Sequence, residues 1–368
     1  MIVSRLTVLA GLLAVVSCSK KEPIDNADAS GGSGGLTEGT GGQSDGGGTS
    51  SAAGGDGEIR TPQPRYHPPQ GFENCKHAEV KTDCKDGWCR LPSSCFVMGS
   101  PENEWGHRGR DSENQVDVTL THGVEIQQKE LTRAEWETIT KTPAPGPDLC
   151  TESTCPVAMV SWWDAVHVAN LLSEQKGLAS CYESVNCTGA TGVDLECEGV
   201  AEPEKSVYEC EGYRLPTRAE AEYAARAGTI STFYSGDITP YDPDNVCAPD
   251  PALELIAWYC NNSDGRPHIG GELAPNGFGV YDMIGNLGEW TNEEAHYSSS
   301  PGGENPRGDV ETNSNRLTFA PQYDVKSWVV RTAALLSGPW DARGSRTGFR
   351  LYRTLFEDSE RSKAIVEK

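Results

Sequence analysis

Residues 275–290 read Pro-Asn-Gly-Phe-Gly-Val-Tyr-Asp-Met-Ile-Gly-Asn-Leu-Gly-Glu-Trp. The stretch is rich in glycine and has neither the period of a helix nor that of a strand, which is typical of turns. The whole chain of 368 residues contains 41 Gly and 23 Pro. It also lacks the long alternation of strands and helices that would predict a parallel sheet. The pattern therefore predicts an α+β domain with much irregular structure.

Upstream of this stretch, three helix starts carry a capping box, in which a hydroxyl and a carboxylate three residues apart bond each other's backbone N–H groups. These boxes predict helices from Thr132 to about residue 140, from Ser161 to Gly177, and from Thr217 to residue 227. Residues 96–100 and 116–120 show the apolar content or alternation of short strands. Trp162 and Trp163 are interpreted as packing residues of the second helix.

Seven separated segments, in this order along the chain, resemble the formylglycine-generating enzyme (sulfatase-modifying factor) family. They are Phe96–Glu102, Glu130–Thr132 with Trp136, Pro156–Trp162, Tyr213–Thr217 with residues 222–226, Ala257–Tyr259 with Asn262 and Ser263, residues 275–290, and Thr347–Arg350. The resemblance implies an α+β domain over residues 91–355 with a C-type-lectin-like fold, low in regular secondary structure.

The resemblance also indicates which chemistry is missing. Members of the family oxidise a substrate cysteine with molecular oxygen and copper, which two cysteines hold in a segment like Arg-Gly-Gly-Ser-Trp-x-Cys-x4-Cys. With Arg331 placed on the first arginine, Ser337 and Ala342 occupy the two thiol positions. Neither binds copper(I), which needs soft thiolates, and no cysteine follows Cys260. We therefore predict no catalytic residues for formylglycine formation and no copper.

Iron is not expected either. Related sulfoxide synthases take iron from histidines of a preceding helical domain, whereas this chain has 7 His. None of them are spaced as His-x-x-x-His, the arrangement of an iron pair on one helix. A metal-dependent oxidoreductase is kept as the alternative function.

A calcium site is implied by the family's pattern. Family members bind calcium around a segment like residues 282–289, and here Asp282 and Glu289 supply carboxylates while Gly285 and Leu287 supply backbone carbonyls. Hard oxygen ligands of this kind suit calcium. The competing interpretation is that Glu289 satisfies buried backbone groups, and Arg346 and Arg350 are interpreted as salt-bridge residues.

Cysteine content and charge limit the environment and the partners. Of 13 Cys, twelve follow Cys18. An even number in an exported chain predicts up to six disulfides, but the sequence does not show which cysteines pair. The net charge of −23 excludes the electrostatic attraction that nucleic acids require.

The N-terminal region indicates export. Arg5, the apolar run over residues 6–16 and Ser17-Cys18 predict a lipoprotein signal peptide over residues 1–17 with lipidation at Cys18. Residues 18–60 predict a disordered Gly/Ser-rich tether, residues 61–90 a Cys-rich lead-in, and residues 356–368 a charged tail. The expected location is the cell envelope of a Gram-negative bacterium, lipid-anchored on the periplasmic side or the cell surface.

The sequence thus favours a membrane-anchored, non-catalytic module that binds a protein or glycan partner. The metal-dependent oxidoreductase is the first alternative. A structural assembly factor of the envelope is the second.

Overall fold

A computed structural model describes residues 68–109, 111–146, 149–202, 206–240, 247–295, 302–308, 315–319 and 321–356. The predicted signal peptide, Cys18, the tether and residues 357–368 lie outside this set. Within it, no helix is both long and apolar enough to cross a membrane.

The three predicted helices are confirmed, and their capping boxes are formed. They are α1 (Arg133–Thr140), α2 (Trp162–Gln175) and α3 (Arg218–Arg226). In α1 the Thr132 hydroxyl accepts from the Glu135 N–H at 3.2 Å, and Glu135 accepts from the Thr132 N–H at 2.8 Å. Since each box satisfies orphan N–H groups from residues close by, these helix starts follow from local sequence. Two 3-10 turns, Asp111–Glu113 and Val207–Glu209, complete the described helices.

The strands are short, and several lie at the predicted places. In chain order they are β1 (Cys84–Lys85), β2 (Trp88–Leu91), β3 (Ser94–Met98), β4 (Val116–Leu120), β5 (Gly123–Gln127), β6 (Glu183–Val185), β7 (Gly199–Ala201), β8 (Tyr213–Arg214), β9 (Gly288–Glu294), β10 (Gly303–Glu304), β11 (Asn315–Phe319), β12 (Leu336–Pro339), β13 (Thr347–Gly348) and β14 (Tyr352–Leu355). The strands predicted at residues 96–100 and 116–120 are found as β3 and β4.

These strands form four sheets. Their orders are β1-β2-β5-β14-β8, β10-β4-β3, β12-β11-β9-β13 and β6-β7. The first sheet joins the beginning of the domain to its end, because β14 pairs antiparallel with β5. The third contains the end of the 275–290 stretch, because Trp290 lies on β9 opposite Thr318 of β11.

The predicted boundary between a lead-in and the domain at residue 91 differs from the structure. β2 pairs with β5 along its whole length, and Cys89 is fully buried in the main core. Cys75 is joined to Cys95 of β3 by a disulfide. The segment from Cys75 onward is therefore part of the domain, since strand pairing and a covalent bond both fix it there.

Six disulfides brace the domain, which is the largest number that the predicted range of up to six allowed. The pairs are Cys75–Cys95, Cys84–Cys89, Cys150–Cys155, Cys181–Cys210, Cys187–Cys197 and Cys247–Cys260. Every cysteine of the described residues is thereby oxidised. In a domain with so little regular secondary structure, such bridges stabilise by restricting the unfolded chain.

The core has two main parts. One packs α3 against β2–β5 and the 275–290 stretch, and the other surrounds α2 and includes Trp162, Trp163 and Trp290. The prediction that Trp162 and Trp163 pack in the interior is confirmed, because both are at most 1 % exposed.

Candidate functional site

The loop over residues 282–289 turns sharply and contacts several parts of the chain that are distant in sequence. Asp282, Gly285 and Asn286 all have positive φ. A Cβ at Gly285 would lie 2.4 Å from the backbone oxygen of Trp258, so only glycine fits there. Asn286 donates its backbone N–H to the same oxygen at 2.9 Å. The loop is therefore held by backbone contacts that leave no space for a side chain at its centre.

The carboxylate of Glu289 is bound by an arginine. Arg350 donates Nε to both Glu289 oxygens at 2.8 and 2.9 Å, and Nη2 to Oε1 at 2.6 Å. The same guanidinium donates to the backbone oxygens of Gln127 at 3.3 Å and Tyr281 at 3.0 Å. Both side chains are almost fully buried. The prediction that Arg350 forms a structural salt bridge agrees with these contacts, as does that for Arg346, which pairs with Asp324.

A second buried carboxylate, Glu130, supports the other side of the loop. Its oxygens accept from the Asn286 amide at 2.9 Å and from the Leu287 N–H at 3.1 Å. Burial raises the pKa of Glu130 well above its ordinary value, and the charges of Asp282 and Glu289 raise it further. Glu130 begins one of the family-like segments, but its role at this loop is not visible in the sequence, because its partners lie more than 150 residues away along the chain.

The third carboxylate is that of Asp282, which accepts from the Gly271 N–H at 2.7 Å. Burial raises the pKa of Asp282 to about 6, while that hydrogen bond, Arg350 and Lys129 oppose the rise. Burial also raises the pKa of Glu289, against the charge of Arg350. Three buried carboxylates thus meet at this loop, and the Arg350 guanidinium binds the one of Glu289.

These contacts bear on the calcium predicted at Asp282, Gly285, Leu287 and Glu289. The four residues do not form an open cage of oxygens here, because both oxygens of Glu289 accept from Arg350. An ion at this place would have to displace that guanidinium or share the carboxylate with it. Among the described residues, no group of three or more His, Cys, Asp and Glu side chains is arranged to hold a metal ion. Calcium at this loop stays a prediction.

The two positions predicted to replace the copper thiols lie at the edge of the third sheet. Ser337 is exposed on β12, opposite Leu317 of β11, and Ala342 follows in the turn that closes on Pro339. Arg331, used to align them, is fully buried and donates to Glu104 and Glu113 at 2.7 Å each. With every described cysteine in a disulfide, these residues do not supply the thiolate pair that copper(I) needs.

Another buried acid lies on β9 and was missed from the sequence. Glu293 is 3 % exposed, and its Oε1 has no hydrogen-bond partner among the described residues. Burial raises the pKa of Glu293 to about 7, although the charge of Arg218 and a backbone bond from Gly308 oppose the rise. No local sequence pattern predicts that Glu293 and its neighbours on β9 are buried, so only the packing reveals it.

We expect Glu293→Gln to remove part of the pH dependence of folding. Because the pKa of Glu293 is raised on folding, from 4.5 to about 7, its contribution to stability is complete below pH 4.5 and is lost as the pH rises to 7. The variant should match the wild type at pH 4 and exceed it at pH 8 by up to about 3 kcal/mol. Urea unfolding at the two pH values measures this. Glu137→Gln, at an exposed position of α1, is the control. An equal gap between variant and wild type at both pH values would contradict the prediction.

The fold and the site define a disulfide-braced α+β domain of the formylglycine-generating type whose described cysteines are all oxidised. The family model of the sulfatase-modifying factor enzyme 1-like domain matches residues 76–355, and the chain belongs to this family.

Individual relatives share only part of their length with this chain. It is 29 % identical over 165 residues to the chaperone protein LppX of Paenibacillus barcinonensis, covering 40 % of this chain and 54 % of that protein. It is 40 % identical over 91 residues to the formylglycine-generating enzyme of Mycobacterium tuberculosis, covering 23 % and 28 % respectively. The chain therefore spans between about a quarter and about half of these curated relatives.

Among solved structures, the fold resembles Treponema denticola variable protein 1. The TM-score is 0.56 with 22 % identity, and the match covers 73 % of this chain and 95 % of the other. At this identity the likeness concerns the fold alone.

Proposed function

We propose that this protein is a non-catalytic binding module of the cell envelope, anchored to the membrane through lipidated Cys18. The observation that carries the proposal is the state of the cysteines: all twelve that follow Cys18 are bonded in pairs. Thiols bound in structural disulfides are not ligands for copper(I). The domain thus has the family's scaffold without the thiolates of the family's oxidation chemistry, and a fold alone does not confer an activity.

The disulfides also support the envelope as the location. Bridges of this number form and persist in oxidising compartments such as the bacterial periplasm or the cell surface. The partner is a protein or a glycan, because the excess of acidic residues repels the phosphates of nucleic acids.

A second candidate is an assembly factor of the envelope. It is favoured by the similarity to LppX, a protein named as a chaperone. In that case the partner would be a protein client rather than a glycan.

The proposal is tested with the full chain, loaded with copper(I) and supplied with oxygen and a cysteine-containing peptide. We expect no formylglycine by mass spectrometry, whereas the Mycobacterium tuberculosis enzyme under the same conditions serves as the positive control. The chain should fractionate with membranes, and Cys18→Ser should release it. Turnover of the peptide would establish the oxidoreductase alternative instead, and an unchanged membrane fraction for Cys18→Ser would contradict the lipid anchor.

A further inference from the structure

A groove of about 600 Å³ lies between α1, the end of α2 and one face of the first sheet. Its volume is in the range of ligand pockets, roughly 300–1,000 Å³. It is open to solvent and lies apart from the 282–289 loop, Ser337 and Ala342.

The floor of the groove is aromatic. Trp88 of β2 and Tyr213 of β8 contact each other with ring centroids 5.0 Å apart and planes at 49°. Trp88 is only partly buried. It pairs with Gln127 of β5, while its neighbour Cys89 points into the core. Because side chains alternate across a strand, Trp88 and Gln127 share the face of the sheet that lies away from that core. Two tilted rings on one sheet face make a rigid apolar floor.

The walls of the groove are polar, and their side chains are fixed in place. Gln127 accepts from the Leu351 N–H at 2.8 Å and donates to Glu135 at 3.3 Å. Gln175 donates to the backbone oxygen of Ile139 at 2.8 Å. Lys176 lies at the rim beside Gln175 and supplies a donor, and Asp86 supplies another carboxylate. Preorganised groups of this kind lose little entropy when a ligand binds.

We propose that this groove binds an uncharged saccharide chain, with a sugar ring stacked on Trp88, which the buried Tyr213 supports from behind. A pyranose has one face of C–H groups that suits an aromatic ring, and an edge of hydroxyls that both donate and accept hydrogen bonds. The carboxylates and amides of the walls match that edge. Asp86 and Glu135 supply two carboxylates and Lys176 supplies one ammonium group. The groove therefore has no excess of positive charge to attract an anionic ligand. The proposal rests on the binding function proposed above and names its ligand class.

The experiment titrates the full chain, purified in mild detergent, with maltohexaose, cellohexaose and chitohexaose by calorimetry. We expect at least one of the three to bind at millimolar concentration or below. Trp88→Ala should weaken that binding about tenfold or more, which corresponds to about 1.4 kcal/mol, because it removes the ring on which the sugar stacks. Thr138→Arg provides a second variant, because Thr138 is an exposed residue of α1 in the groove wall, where an arginine fills the space without removing core packing.

Trp340→Ala is the matched control. Like Trp88, Trp340 is partly buried and packs against the core around α2, but it does not line the groove. Loss of binding in Trp88→Ala and Thr138→Arg, with binding retained in Trp340→Ala, supports the proposal. Binding that survives both groove variants would overturn this site and leave a glycan-binding function elsewhere on the domain. If none of the three sugars binds, the proposal of a saccharide ligand is overturned, and a protein partner for the module remains. Formation of formylglycine would overturn the module itself.

Discussion

Replacing Arg350 by leucine is expected to lower the free energy of unfolding by about 3–5 kcal/mol. The substitution removes the only guanidinium in contact with Glu289 among the described residues and leaves that carboxylate buried beside those of Glu130 and Asp282. A buried charge whose partner is removed costs far more than the pair contributes as a whole. Urea unfolding of the wild type and the variant measures the loss, provided that the free energy of unfolding depends on urea concentration with the same slope in both.

Arg346→Leu is the matched control for that experiment. Arg346 lies four residues earlier and pairs with Asp324 at 2.6 Å, but its side chain is 54 % exposed. Solvent screens such a pair, so the expected cost is about 1 kcal/mol or less. Equal losses for the two arginines would show that burial of the Glu289 pair has no special energetic role.

Thermal unfolding of the wild type and of Arg350→Leu, each with calcium and with a chelator, decides the calcium prediction. An ion that binds only the folded state stabilises it by RT ln(1 + c/Kd), where c is the ion concentration, and so raises the unfolding temperature. A shift in the wild type would establish that the folded domain binds calcium while the pair of Arg350 and Glu289 is present. A shift confined to Arg350→Leu would show that the arginine occupies the position that the family pattern assigns to the ion.

Gly285→Ala is expected to cost roughly 2–5 kcal/mol, the second large effect. The added Cβ would meet the Trp258 oxygen at 2.4 Å, and the backbone at φ +79° already disfavours any side chain. Since this oxygen also accepts from Asn286, moving it would disturb the whole 282–289 loop. Chemical denaturation followed by tryptophan fluorescence gives the size of the loss.

Gly265→Ala separates the two causes. Gly265 has a similar φ of +67°, but a Cβ added there would have no atom within 4 Å beyond its chain neighbours. Only the conformational cost of about 1–2 kcal/mol should remain. If both variants lost the same stability, the close approach to Trp258 would have no energetic consequence.

The features that the sequence predicted well are those whose cause is local or chemical. Each helix begins where a hydroxyl and a carboxylate three residues apart bond each other's backbone, and this requires no information from elsewhere in the chain. The alternation of Val116–Leu120 indicates a strand for the same reason. An even count of twelve cysteines after Cys18 predicted up to six disulfides, and the lack of any cysteine after Cys260 excluded a thiol pair there whatever the fold.

The tertiary structure decided which distant residues meet. Arg350 reaches Glu289 across 61 residues, Glu130 supports a loop more than 150 residues later, and Trp88 shares a groove with Tyr213. It also placed the segment from Cys75 inside the domain and gave Arg331 a buried ion pair. Such contacts depend on the path of the whole chain, and the pKa of a buried acid such as Glu293 depends on the packing that this path creates. The sequence by itself therefore determined the helix starts, the oxidised cysteines and the family, because these depend on neighbouring residues and residue type. The connectivity, the occupant of the Glu289 carboxylate and the groove were decided only by folding, because each requires groups that are far apart in the chain to be desolvated together.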